Sequence, residues 1–382
     1  MVARQDAAED IDVVFGADLP DDVAQSSACL RADVAVKDNW EAGSLLGFGT
    51  GPMKERQEER NNSYSEGFPT TLVGSEMSFS KTKDRFFSFY ETIASWLARR
   101  PRPIRRAVYS VFGTVLWGIY LLPGNKVRPT LVALAKHIGS SSPAKIYMGF
   151  VRNLFLGIDR LERVRHGFGA EIDDMLVIPE SNRIEQLLDQ KGFILVLPHV
   201  HGSFAMARGL SQVYPVMSLV RLTKNKKRAD AQWNLYQQIG CDVLDVRNGD
   251  PTSVARKMLR KLKSGTIVVG VVDRIDNPPT GPTDETGDLV SALAFGERIG
   301  VTSWPARFAI KAGVPIVPAT VEQTDTEIRL ILGKTIVPKA NMGTTTQDWM
   351  NELELLFRSY PEEWAFWLDK HWSRVLRKNL TE

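Results

Sequence analysis

The sequence has only two cysteines in 382 residues, Cys29 and Cys241, and they sit in unlike contexts. That excludes a disulfide framework and a thiolate zinc cluster, and it suits a reducing compartment. Histidine is scarce too, at five. No glycine-rich phosphate loop is present, and Gly265 and Gly270 fit no dinucleotide-binding spacing, so a nucleotide cofactor has no support. No Gly-x-Ser-x-Gly elbow offers a covalent serine nucleophile. The N-terminus lacks a basic stretch followed by an apolar one, which predicts a protein that is not exported. A net charge of +3 is too small to argue for nucleic acid as a partner. No uncharged apolar run reaches the roughly 20 residues of a spanning helix.

What is present reads as an acidic leader on a basic body. Residues 1–76 scatter their apolar side chains among Asp, Glu, Ser, Gly and Asn, without helical or strand periodicity, which predicts disorder. Patterned sequence begins near Met77. Residues 77–145 read as a helical, membrane-associating segment whose most apolar stretch is Ala107 to Pro123. Arg99, Arg100, Arg102, Arg105 and Arg106 precede that stretch and suit anionic headgroups. Trp96, Trp117 and Tyr120 suit the interface. A buried core helix is the competing reading.

Residues 146–382 alternate strand and helix patterns. Phe193 to Leu197 is a continuous apolar run between Gly192 and Pro198, as expected of a strand buried on both faces. Further strands are expected at 215–220, 242–246, 267–272 and 314–321, with a hairpin partner at 327–332. Helices are expected at 203–210, 228–239, 253–263, 303–312 and 346–359. This order predicts an α/β domain, a mostly parallel sheet flanked by helices, with its site at the carboxyl ends of the strands.

Three segments fall at such ends. Pro198-His199-Val200-His201-Gly202 places a histidine pair where the next helix opens, near backbone N–H groups able to receive an oxyanion. Two histidines one residue apart also raise a metal site. The remaining histidines (His137, His166 and His371) form no ligand-like cluster with them, so no metal is expected. Asp273-Arg274-Ile275-Asp276 offers carboxylates to orient an imidazole or bind a hydroxyl, or to pair with Arg274. Arg221, with Lys224 to Lys227 and Asn225, suits a phosphate or another anionic headgroup, or forms an ordinary solvated face.

Taken in order, these blocks resemble the bacterial lipid A biosynthesis acyltransferases (lauroyl and myristoyl transferases) and the related phosphatidylinositol mannoside acyltransferases. The resemblance runs over roughly residues 80–378. It joins Pro198-His199, Arg221 with Asn225, and Asp273 with Asp276. Phe295-Gly296 follows, then Thr302, Pro305, Ala306 and Ala309, then Gly313 to Pro318, and the ending Tyr360 to Trp367. It implies a glycerolipid acyltransferase-like fold with an N-terminal membrane-associated helix, at the cytoplasmic face of the inner membrane. The implied reaction carries an acyl chain from an acyl-carrier-protein or acyl-CoA thioester to a hydroxyl of a glycolipid, with His199 as general base and no cofactor. Arg221, Asn225, Arg274 and Asp276 are then the substrate-binding candidates.

The family motif also places an Asp or Glu five positions after its histidine. Here that position is Phe204 counted from His199, and Met206 counted from His201. Three readings follow. Asp273 or Asp276 replaces the carboxylate; His201 is the base or assists His199; or the chain binds lipid without transferring an acyl group.

Overall fold

The computed structural model describes residues 92–125, 127–140, 142–223, 226–279 and 288–378. The acidic leader of residues 1–76, the sequence around Met77, and Lys224 and Asn225 lie outside the described residues, as do the side chains of Lys227 and Arg228.

In chain order the helices are α1 (Arg102–Leu121), α2 (Val127–His137), α3 (Pro143–Arg165), α4 (Gly169–Asp173), α5 (Ser181–Gln190), α6 (Ser203–Val213), α7 (Lys226–Ile239), α8 (Pro251–Lys263), α9 (Trp304–Ala312), α10 (Met342–Ser359) and α11 (Lys370–Lys378). The strands are β1 (Leu176–Val177), β2 (Phe193–Leu197), β3 (Val216–Val220), β4 (Asp242–Asp245), β5 (Ile267–Val271), β6 (Ile275–Asp276), β7 (Leu289–Ala294), β8 (Glu297–Thr302), β9 (Ile316–Gln323) and β10 (Ile328–Leu332). Seven strands form one sheet in the order β1-β10-β9-β2-β5-β3-β4, and β6, β8 and β7 form a second. Within the large sheet only the β9–β10 pairing is antiparallel. The fold is thus the expected one, a mostly parallel sheet flanked by helices.

Burial explains the apolar strand runs. Successive side chains of a strand point to opposite faces. Ile194 and Val196 enter one core with Met258, Leu262, Ala309 and Trp349. Phe193, Leu195 and Leu197 enter the other with Ile184, Leu210 and Ile239. Both faces are covered, so no position of β2 tolerates a polar side chain.

The arginine-flanked apolar segment forms α1, which starts five residues before the apolar stretch because Pro103 lies in its first turn, where a missing N–H costs nothing. Arg105 is buried in a bidentate pair with Asp159 of α3, at 2.7 and 3.1 Å, so it braces two helices rather than facing a headgroup. Among the described residues no helix is long and apolar enough to cross a membrane. Tyr120 of α1 and Leu131 and Leu134 of α2 share a core with the sheet.

Candidate active site

The site grows from strand register. Leu197 of β2 pairs with Val271 of β5 in parallel, and the Val272 N–H continues the ladder to the Leu197 carbonyl at 3.0 Å. Two residues past that pair on each strand stand His199 and Asp273. The His199 Nδ1 and the Asp273 Oδ1 lie 2.5 Å apart, and the His199 backbone N–H donates to Oδ2 at 3.0 Å. The Asp273 side chain is 0% exposed and that of His199 is 23% exposed. A carboxylate facing Nδ1 holds the tautomer whose proton is on Nδ1, leaving the lone pair on Nε2. Nε2 makes no hydrogen bond to the described residues.

The segment after α10 closes over this pair. Ala365 donates its N–H to the His199 carbonyl at 2.8 Å, and Phe366 stacks on the imidazole with centroids 4.2 Å apart. Trp364 donates Nε1–H to Asp273 Oδ2 at 2.9 Å, and Trp372 donates Nε1–H to the Asp273 carbonyl at 2.6 Å. Three donors therefore converge on one enclosed carboxylate, which pays part of its desolvation cost. Trp364 and Trp372 were not among the sequence candidates. The signal was there in the Trp-rich ending, because a buried indole N–H usually finds a partner.

Beside Trp364, Glu363 is buried and accepts the Gln323 backbone N–H at 2.5 Å. Burial pushes its carboxyl up to about 8. Arg160 of α3 donates to Gln323 Oε1 at 2.7 Å, and burial lowers its guanidinium to about 10.

The other candidates lie elsewhere. His201 turns into the core against α3, edge-on to Phe150 with centroids 5.0 Å apart. Both of its ring nitrogens are buried without a hydrogen-bond partner, and burial lowers its pKa to about 3. Gly157 makes room for it, since a Cβ there would come within 2.5 Å of the His201 carbonyl oxygen. Phe204, at the position of the family carboxylate, packs against Tyr236 with centroids 5.8 Å apart. Asp276 is exposed in β6, with Oδ1 accepting the Asn277 N–H at 2.7 Å. So the structure brings Asp273, not Asp276, to the imidazole. Among the described residues no group of three or more His, Cys, Asp or Glu is arranged to hold a metal ion.

Arg221 and Arg274 follow β3 and β5, and Arg247 follows β4, so all three leave the carboxyl ends of neighbouring strands. Desolvation, and then Arg247 and Arg274 as like charges, pull the Arg221 guanidinium below its usual value. Arg247 is an addition to the sequence candidates.

Such an arrangement, an imidazole on an enclosed carboxylate beside a cationic rim, suits proton abstraction from a hydroxyl next to an anionic group. Comparison with curated proteins finds no match. The family described as bacterial lipid A biosynthesis acyltransferase matches residues 157–374, a span that includes both strand ends and both tryptophans. Because that match covers more than half of the chain, the protein belongs to the bacterial lipid A biosynthesis acyltransferase family and is an acyltransferase.

Proposed function

We propose that the protein transfers a fatty acyl chain from an acyl-carrier-protein or acyl-CoA thioester to a hydroxyl of a glycolipid, with His199 as general base. The hydrogen-bonded His199–Asp273 pair carries this reading. In it, Nε2 takes the proton of the acceptor hydroxyl while that oxygen attacks the thioester carbonyl. The tetrahedral intermediate collapses with cleavage of the C–S bond, and the leaving thiolate recovers the proton from Nε2. Asp273 keeps the ring oriented and stabilises the positive charge it gains. First-turn N–H groups of α6, which have no intrahelical partner, are the candidate oxyanion donors. Arg221, Arg247 and Arg274 receive phosphate, either of the glycolipid or of the donor's phosphopantetheine. A chain that only bound lipid would have no use for a carboxylate directed at His199, and this favours transfer.

The same reading places the enzyme on the cytoplasmic face of the inner membrane. Ile104, Val111 and Val115 are exposed along α1 at spacings that keep them on one side of the helix, and Leu121 and Leu122 are exposed at its end. Such a helix lies in the interface with its apolar side down.

Purified protein, a radiolabelled thioester donor and a panel of glycolipid acceptors test the chemistry. His199→Ala is expected to lower turnover by about 10²–10⁴-fold, the usual worth of general-base assistance. Undiminished turnover in that variant would discard His199 as base.

A further inference from the structure

A second concavity lies away from the His199–Asp273 pair. A groove of about 1040 Å³ runs between α1 and α3, bordered by residues 99–101 and α4. It is on the far side of α3 from the reaction. At 3.6 residues per turn, Phe150, Asn153 and Gly157 share one face of that helix, and Arg152, Phe155 and Asp159 the opposite one. The first face meets the histidine loop and its covering segment, through the Phe150–His201 ring contact, the Asn153 bond to the Glu362 carbonyl at 3.4 Å, and the close approach of Gly157. The second face lines the groove, and neither His199 nor Asp273 does.

The groove is amphiphilic. Its wall holds Tyr109 stacked on Phe155, with centroids 5.4 Å apart, together with Trp117 and Val151. Its lining is cationic, with eight arginines, of which Arg105, Arg160 and Arg163 are buried, against three acids, Asp159, Glu171 and Asp325. Those acids already have partners in Arg105, Arg163 and Arg106. A surplus of five positive charges remains (eight against three); Arg99 belongs to it, and Arg152 shares Asp325 with Arg106, at 3.9 Å. A cationic rim over an aromatic wall matches one phosphate carrying an acyl chain, and the volume is at the upper end of the roughly 300–1,000 Å³ of ligand pockets.

We propose that this groove holds one anionic phospholipid of the surrounding bilayer as a bound, non-reacting ligand, its phosphate among the rim arginines and a chain along the Tyr109–Phe155 wall. This rests on the membrane-surface reading above, since the lipid enters laterally from the layer on which α1 lies. With α3 between groove and imidazole, the occupant cannot present a hydroxyl to Nε2, which separates it from the acyl acceptor.

Native mass spectrometry of the full chain, released from detergent with added phosphatidylglycerol or phosphatidylcholine, tests the proposal. One phosphatidylglycerol retained per chain, with phosphatidylcholine released, is the expected result. Gly113 faces the groove with room for a side chain, since a Cβ there would meet Val151 at 3.6 Å. Gly113→Leu fills the space, and the double variant Arg99→Glu/Arg152→Glu inverts part of the rim. Each is expected to lower phosphatidylglycerol occupancy about tenfold, the worth of one charge-assisted contact. His199→Ala is expected to lose turnover and keep the lipid, so failure of the catalytic reading and of this one give different results. Equal retention of both lipids, retention unchanged in both groove variants, no retained lipid, or loss of the lipid in His199→Ala would each overturn the proposal.

Discussion

Replacing Asp273 by Asn tests the geometry of the site most directly, because the carboxylate's two oxygens carry unequal loads. Oδ1 faces only His199 Nδ1, whereas Oδ2 accepts both the His199 backbone N–H and Trp364 Nε1–H. A carboxamide has one acceptor oxygen and one NH₂. If the NH₂ faced the backbone and the indole, two buried donors would lose their acceptor at about 1–3 kcal/mol each. The oxygen is therefore expected to take the Oδ2 side, and the NH₂ to donate to Nδ1. That moves the imidazole proton to Nε2 and removes the lone pair meant for the acceptor hydroxyl. The loss approaches the whole of the general-base contribution, about 10²–10⁴-fold in kcat. Initial rates with a radiolabelled thioester at saturating acceptor measure it, alongside a thermal melt to show that the variant is folded. A folded Asp273→Asn enzyme turning over within about threefold of wild type, well short of that range, would refute the reasoning.

Trp364→Phe keeps the stack on Phe357, with centroids 3.9 Å apart, but deletes one donor to Asp273. It is expected to lower kcat about tenfold with little change in KM, and an unchanged kcat would show that the indole N–H does not position the carboxylate. Glu363 has its folded pKa raised from 4.5 to about 8. Its contribution is thus full below pH 4.5 and lost as pH rises towards 8, so denaturant midpoints of Glu363→Gln should gain on wild type across that window; parallel curves would contradict this. His201 has its folded pKa lowered from 6.5 to about 3. Its contribution is present above pH 6.5 and lost as pH falls towards 3, so His201→Leu should flatten the acid limb of the stability curve, and an unaltered limb would argue against a buried neutral ring.

Much of this was legible in the residues. The apolar run 193–197 between Gly192 and Pro198 dictated a doubly buried strand, and its end placed His199. The end of β5 likewise placed Asp273 near the same rim. What the sequence withheld was pairing. Nothing local states that β2 lies beside β5 in a register that makes His199 and Asp273 equivalent, since the two are 74 positions apart. Asp273 and Asp276 are alike as residue types, and only the turn of the chain into β6 separates them. The same holds for His199 and His201, where packing under α3 buries one ring and leaves the other partly open. The short antiparallel sheet of β6, β8 and β7 gave no periodic signal. Its β7–β8 hairpin turns through Phe295 at φ 50°, a conformation that few residues other than glycine adopt.

Asp273 is held by partners 74, 91 and 99 residues away, His199 and Trp364 on its carboxylate and Trp372 on its backbone carbonyl. The two indoles come from the segment that follows the sheet in the chain. Among the described residues every strand ends by Leu332, so a folding intermediate can possess the complete sheet and still lack the indoles that hold Asp273 in place. Such a species would look nearly native by circular dichroism and turn nothing over. In refolding from denaturant, recovery of acyl transfer should therefore follow the slowest structural probe, with docking of the Trp364–Trp372 segment as the step that switches the enzyme on.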